Sequence, residues 1–414
     1  MQSYQEGTRA QPAPRGRPGT PSLLRVLNDR AALDLLLGGE MLTRSQISEY
    51  TGVSKVTVSQ MLARLEERGL VAIAGEQAGG RGPNAALYSV VPSSAYVAGL
   101  SVDFDLVSAA VADVTGRQVA EVSGNPNGTD DPVELVRGTI EQACASAGIE
   151  VTRLSALVIG SPGVVDPRTG DPRLAVNLPA WHEGALDALT DAWHKPVVIE
   201  NDVNLAAMAE RADGAADADD FVLVWLGVGL GLATILGGRL HRGTAGAAGE
   251  IGYLPVHGAP LHTDLRHPAS GGFQSLAGGN VVRELAAGHG FSAPTPAEAV
   301  RAAVSAAVSV AGHGDGSTGR AEAFLGELAH RVAVGVASVC VVLDPGLVVL
   351  GGEVGRAGGT ALADRVAAAV ASIWPSRPRV VPTGVPGEPV LRGAMLAAVA
   401  QARSALLASV ADPQ

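Results

Sequence analysis

The sequence predicts an α/β protein in two parts: a small, mostly helical N-terminal head carrying a β-hairpin, and a larger body of two α/β lobes with a cleft between them. Three observations predict it. Between residues 42 and 69, two short helices with separate start signals are joined by a glycine turn. A Gly-rich stretch flanked by two apolar strands follows them. From about Tyr96, a strand-rich run followed by alternating helix and strand occurs twice.

The 414 residues suffice for two or three domains at roughly 100–200 residues each. We divide them into an arm (1–21), the head (22–92) and the body (93–410). The arm, MQSYQEGTRAQPAPRGRPGTP, is rich in Pro, Gly and Arg and has no apolar core. It reads as disordered and not as a secretion signal. No apolar run approaches the roughly 20 residues that cross a bilayer, so no membrane is expected. Two distant cysteines, Cys144 and Cys340, make no disulfide framework, and a reduced, cytoplasmic protein is the expectation. The net charge is −11, unevenly spread: residues 1–92 carry 10 Lys+Arg against 8 Asp+Glu, the remainder 20 against 33. A mildly basic head on an acidic body fits a small nucleic-acid-binding module fused to a domain that does not bind nucleic acid.

In the head, SLLRVLNDRAALDLLL (22–37) has apolar residues at helical spacing and stops at Gly38-Gly39. Thr43 and Gln46 then form a capping box, with Leu42 and Ile47 at the staple positions, and this short helix ends at Gly52. Ser54 caps the next helix, with Val53 and Val58 as its staple. Val58, Met61, Leu62 and Leu65 make its buried stripe, and Gly69 ends it. Val56, Ser59, Gln60 and Arg64 fall on or near the other side, with Lys55 and Thr57 at the N-terminal end.

This is the helix-turn-helix layout. Such a helix fits the major groove of double-stranded DNA; a Gln can bond adenine and a Val can touch a thymine methyl. Arg44, Lys55 and Arg64 are expected on phosphates, which fix position and not sequence. The strands 70–74 and 86–90 around a Gly-rich tip read as a wing that can lay Arg81 along the backbone or in the minor groove. A helical interaction scaffold with a polar surface is the competing reading.

In the body, YVAGLSVDFD, LVSAAVADV and QVAEVSG read as three consecutive strands. A helix at about 132–147 and the strand SALVIG follow. VVIEN, FVLVWLG and LATILGG are further strands. Ala-rich helices near 298–311 and 319–342 precede the strand LVVLGG and two more helices.

Seven segments in order carry a resemblance: Gly160-Ser161-Pro162-Gly163, Asn177-Leu178-Pro179-Ala180-Trp181, Glu200-Asn201-Asp202-Val203-Asn204, Gly227-Val228-Gly229-Leu230-Gly231, Ala248-Gly249-Glu250-Ile251-Gly252-Tyr253, Asp344-Pro345 and Leu350-Gly351-Gly352. In order and spacing, over about residues 22–405, the chain resembles the ROK family of sugar-responsive repressors, uncharacterised open reading frames and sugar kinases. The resemblance implies a winged helix-turn-helix domain plus a two-lobed actin-like (ribonuclease-H-like) ATPase fold.

Family kinases bear a phosphate turn of the form Asp-x-Gly-x-Thr, and this chain has Asp103-Phe104-Asp105-Leu106-Val107. A carboxylate replaces the glycine and a valine the hydroxyl; at short range, charge repulsion from a polyphosphate amounts to several kcal/mol. Gly227-Val228-Gly229 stands where the family has Gly-Thr-Gly. Asp202 matches the family's catalytic base, but a base without a phosphate donor has nothing to transfer.

The family's zinc site is altered too. Its His corresponds to Tyr253, and residues 254–274 contain no cysteine. His257, His262, Asp264 and His267 remain as a polar loop or an unconventional metal set. These departures leave no cofactor expected, and the resemblance implies a ligand pocket of Asn201, Asp202, Glu250, Tyr253 and Gln274. Two functions follow: a homodimeric regulator binding an inverted-repeat operator under control of a sugar or sugar-derived effector, or a sugar kinase with an accessory DNA-binding domain.

Overall fold

The computed structural model describes residues 21–78, 84–103, 106–124, 131–173, 185–195, 197–264, 267–308 and 316–410. They fall into two compact units, divided at Ser94 and Ala95, with residues 403–414 grouping with the first.

The first unit comprises α1 (Pro21–Leu37), β1 (Leu42–Thr43), α2 (Arg44–Thr51), α3 (Lys55–Glu67), β2 (Val71–Gln77) and β3 (Ala85–Val90). Both helix starts form as the sequence dictates. Thr43 Oγ1 accepts the Gln46 amide at 3.3 Å while Gln46 Oε1 accepts the Thr43 amide at 2.8 Å. Ser54 Oγ accepts the Thr57 amide at 3.2 Å. Each such cap is worth about 1 kcal/mol, because it satisfies amides that the helix leaves unpaired. Val58, Met61, Leu62 and Leu65 are all buried, as are Ile47 of α2 and Leu33 and Leu36 of α1. The three helices pack on one another through this stripe.

β3 pairs antiparallel with β2 and, on its other edge, with the two-residue β1, so the hairpin is anchored to the entrance of α2. That third strand was hidden in sequence, because Leu42 and Thr43 also serve the helix start. Arg81, at the hairpin tip, lies outside the described residues.

The second unit winds the same way twice. Its first half runs β4 (Tyr96–Val102), β5 (Val107–Asp113), β6 (Gln118–Gly124), α4 (Pro132–Ala147), β7 (Leu154–Ser161), β8 (Val164–Val165), β9 (Pro172–Arg173), α5 (Ala185–Trp193), β10 (Val197–Asn201) and α6 (Asp202–Asp213). Its second half runs β11 (Phe221–Leu226), β12 (Leu230–Leu236), β13 (Arg239–Leu240), α7 (Gln274–Ala277), α8 (Gly279–Gly288), α9 (Pro296–Val308), α10 (Ser317–Leu343), β14 (Leu347–Gly351), α11 (Gly352–Ile373), β15 (Arg379–Pro382) and α12 (Pro389–Ser409).

The first sheet has the order β10-β7-β4-β5-β6 and the second β13-β12-β11-β14-β15. In each, a three-strand antiparallel meander is extended from its first strand by two parallel strands. Parallel neighbours need crossovers, which are helical here and cover the sheets. Hence β5 and β14 are buried along their whole length.

Each half has its own apolar core. The centre of the second is α10, with Phe324, Leu325, Leu328, Val332 and Val336 buried. By length and composition α10 and α12 are long and apolar enough to cross a bilayer, which the sequence reading passed over. Here the apolar face of α10 is spent on the core, and Leu391, Ala394 and Met395 of α12 are buried as well.

Candidate functional site

The first candidate surface is the outer face of α3. Ser54, Lys55, Val56 and Gln60 are exposed, Val56 to 69%, and Thr57 and Ser59 are half-buried. The buried stripe fixes this: with one face held in the core, the residues between its members must point outward. Ser54 and Thr57 share the N-cap, their hydroxyls 3.0 Å apart, and Ser59 Oγ donates to the Lys55 carbonyl at 3.0 Å. Lys55, Val56 and Gln60 are the side chains this face offers without such local bonds among the described residues.

Two arginines have partners that the sequence did not reveal. The Arg64 guanidinium forks onto Asp29 of α1, Nε to Oδ2 at 2.7 Å and Nη2 to Oδ1 at 2.5 Å. The hydrogen bonds to Asp29 raise its pKa further. The structure thus gives Arg64 an intramolecular carboxylate partner that the sequence reading did not include. Arg44 stays exposed, donates to the buried Tyr88 hydroxyl and lies 5.3 Å from that ring's centroid, a cation–π contact.

The second candidate is the junction where β10 meets α6. Asn201 is the N-cap of α6: its Oδ1 accepts the Asn204 amide at 3.0 Å. Its Nδ2 donates to the Gly163 carbonyl and to Asp202 Oδ1, both at 3.0 Å. Both amide donors are therefore used within the protein, and Asn201 orients Asp202. Glu200 braces the junction from behind, accepting from Asn204 Nδ2 at 2.9 Å and from Arg242 Nε at 2.7 Å.

Asp202 Oδ1 also takes the Val203 amide at 2.8 Å. Burial, then the nearby charges of Glu250 and Asp103, push the Asp202 carboxyl up to about 7, against the pull of the Val203 amide. Burial likewise raises Glu250, and burial followed by the charges of Glu250 and Asp264 raises the Tyr253 phenol. The carboxyls of Asp202 and Glu250 and the Tyr253 phenol thus share one electrostatic neighbourhood. Gly249 aims Glu250: at φ +103°, a Cβ there would lie 1.9 Å from the Leu232 carbonyl oxygen.

Gln274 is bonded within the protein. It is buried, its Oε1 accepts the Leu230 amide at 2.9 Å and its Nε2 donates to the Val228 carbonyl at 2.8 Å. Both ends of its amide hold the turn between β11 and β12. That turn has a second partner the sequence reading missed. Glu353, in the first turn of α11, accepts the Val228 amide at 2.8 Å through Oε1. The signal was one residue beyond the Leu350-Gly351-Gly352 segment.

Among the described residues no group of His, Cys, Asp and Glu is arranged to hold a metal ion. The His262 and Tyr253 rings meet at a tilt of 43° with centroids 4.8 Å apart, and His267 Nδ1 lies 2.7 Å from Asp264. Phe104, Asp105 and the segment Asn177–Trp181 lie outside the described residues.

At the far end of α6, Glu210 is buried. Its carboxylate accepts the amides of Ala215 at 2.9 Å and Gly384 at 3.1 Å, and the Thr383 hydroxyl. Several N–H and O–H donors offset a buried charge as a counter-ion would.

Residues 97–398 match the ROK family, and residues 28–82 match the MarR family. The xylose repressor of Caldicellulosiruptor bescii is 28% identical over 246 residues, which are 58% of this chain and 61% of that protein. The chain thus matches about three-fifths of the length of that relative. Among solved structures, the ROK hexokinase from Thermus thermophilus aligns with a TM-score of 0.58 and 28% identity, over 75% of this chain and 99% of that one. A ROK-family transcriptional regulator, a homologue of the Escherichia coli Mlc protein, aligns with a TM-score of 0.71 and 17% identity over 94% of this chain and 99% of that one, which speaks to fold alone. The twice-wound second unit, the ordered cleft segments and a family match over most of the chain lead to one conclusion: this protein belongs to the ROK family.

Proposed function

We propose that the protein is a cytoplasmic DNA-binding transcriptional regulator of carbohydrate-related genes, with a sugar-kinase-like body that senses and does not phosphorylate. The observation that carries this reading is the outer face of α3: a helix with its apolar stripe buried presents Lys55, Val56 and Gln60 on a winged head. Gln60 and Val56 read bases; Ser54, Lys55, Thr57, Ser59 and Arg44 add backbone contacts, and Arg81 of the wing tip takes phosphate or minor groove. The repressor relative and the MarR-type match support the DNA reading. The protein acts as a homodimer on an inverted-repeat operator.

The effector is a sugar or sugar-derived metabolite. Asp202 and Glu250 accept its hydroxyls, Tyr253 sets the shape of the pocket, and Asn201 and Gln274 hold the frame. Ionised carboxylates accept hydroxyl hydrogen bonds more strongly than protonated ones. Effector affinity therefore rises with pH through about 7, where Asp202 ionises.

A gel shift on the DNA upstream of the protein's own gene tests the reading. Binding should weaken steeply with salt, as phosphate contacts release counter-ions. Gln60→Ala should relax base preference, whereas Arg81→Ala should weaken binding to all sequences alike. Salt-independent binding, or both variants behaving as wild type, refutes it. The kinase alternative rests on Asp202; ATP-dependent phosphorylation of any sugar in a panel, lost in Asp202→Ala, would establish it instead.

A further inference from the structure

The turn Gly227-Val228-Gly229 between β11 and β12 faces the first turn of α11. Gly352 makes this possible: at φ +74° its backbone comes so close to β11 that a Cβ would lie 2.4 Å from the Leu226 carbonyl oxygen. The next residue, Glu353, then turns back onto the loop. One carboxylate oxygen takes the Val228 amide at 2.8 Å. The other stands where a Cβ on Gly227 would be, 2.5 Å away. A glycine-rich turn offering its amide beside the N-terminus of a helix is the arrangement proteins use to hold phosphate oxygens. In this chain a carboxyl group already fills it, and that group is part of the protein.

We propose that Glu353 is an internal occupant of this anion pocket, standing in for a nucleotide phosphate and closing the cleft to nucleoside polyphosphates. The surroundings reinforce the exclusion. Asp103, at the end of β4, acts electrostatically on Glu353, on Glu388 and on Asp202. A polyphosphate entering here would have to displace a bonded carboxylate and approach a region of like charge. The locked turn serves a second purpose: together with Gln274 it makes the β11–β12 connection rigid without a ligand.

The inference rests on the non-catalytic reading of the body, and its test is separable from that reading. Calorimetric titration of the full chain with the magnesium complex of a non-hydrolysable ATP analogue, AMPPNP, should give no binding for wild type. Glu353→Ala should gain affinity by at least about tenfold over the wild-type limit, a change of roughly 1.4 kcal/mol. Glu353→Gln keeps an acceptor for the Val228 amide and loses the charge; it should gain less, and it carries the test if the alanine variant fails to fold. Hydrogen exchange of a peptide containing Val228 should quicken in Glu353→Ala and stay slow in Glu353→Gln.

Wild-type binding of AMPPNP as tight as that of Glu353→Ala, or no gain in either variant, overturns the proposal and leaves the DNA-binding reading intact. Loss of operator binding in the gel shift would do the reverse.

Discussion

Replacing Asp202 by Asn should flatten part of the pH dependence of the body's stability. The Asp202 carboxyl is raised from its ordinary 3.8 to about 7 by burial and by the charges of Glu250 and Asp103. A raised carboxyl makes the folded state bind a proton more tightly than the unfolded chain does. Its favourable contribution is complete below about pH 4 and is lost as pH rises through about 7. Over that window the folded state holds up to one extra proton at this site, so stability falls by about 1.4 kcal/mol per pH unit, or about 3–5 kcal/mol in all. Glu250, Glu353 and Glu388 are raised too and add slope of the same sign.

Asp202→Asn removes only the share of Asp202: it should be the more stable protein at pH 8 and lose that advantage near pH 4. Denaturant titrations at a series of pH values measure this. All four tryptophans of the chain (Trp181, Trp193, Trp225 and Trp374) lie in the body, so their fluorescence follows that unit alone. A wild-type-minus-variant difference that stays constant from pH 4 to pH 8 would refute the reasoning.

Three further outcomes are expected. Arg64→Ala leaves the Asp29 carboxylate, on the buried side of α1, without its forked partner; the head should lose about 1–3 kcal/mol, between the values of exposed and buried pairs, read as earlier melting of the head by hydrogen exchange. Gly249→Ala forces a left-handed backbone and a clash with the Leu232 carbonyl; any change that a sugar effector makes in operator binding should be lost while operator binding without effector is retained. Cys144 and Cys340 are buried and free, and burial pushes both thiols up to about 11; in the native protein they should react with a thiol reagent at least about tenfold more slowly than in denaturant, since the thiolate is the reactive form.

What was legible in the sequence was what local chemistry encodes. The capping box at Thr43, the Ser54 cap and the Val58–Leu65 stripe depend on residues three or four apart, and each forms as read. The strands of both meanders are legible as short strand-like runs except the two-residue β13, and Ala-rich helices expected at 298–311 and 319–342 form at Pro296–Val308 and Ser317–Leu343. Partnerships across long separations left no local trace. Asp29 and Arg64 are 35 positions apart, Gln274 and Leu230 44, Val228 and Glu353 125. In the cleft, the segments pointed to Asp202, Glu250 and Tyr253 without showing which polar groups had spare bonding capacity. Only the three-dimensional count reveals that Asn201 is bonded to backbone and to Asp202, and Gln274 to backbone.

α6 begins with Asp202 in the cleft and carries Glu210 near its far end, where the carboxylate is bonded to residues 383–385 just ahead of α12. The helix is therefore clamped at both extremities, and its backbone bonds leave it little freedom to bend in between. At 1.5 Å per residue it acts as a strut roughly 18 Å long. A tilt of its first turn would be carried along this strut to residues 383–385, the short connection between β15 and α12 that Glu210 holds.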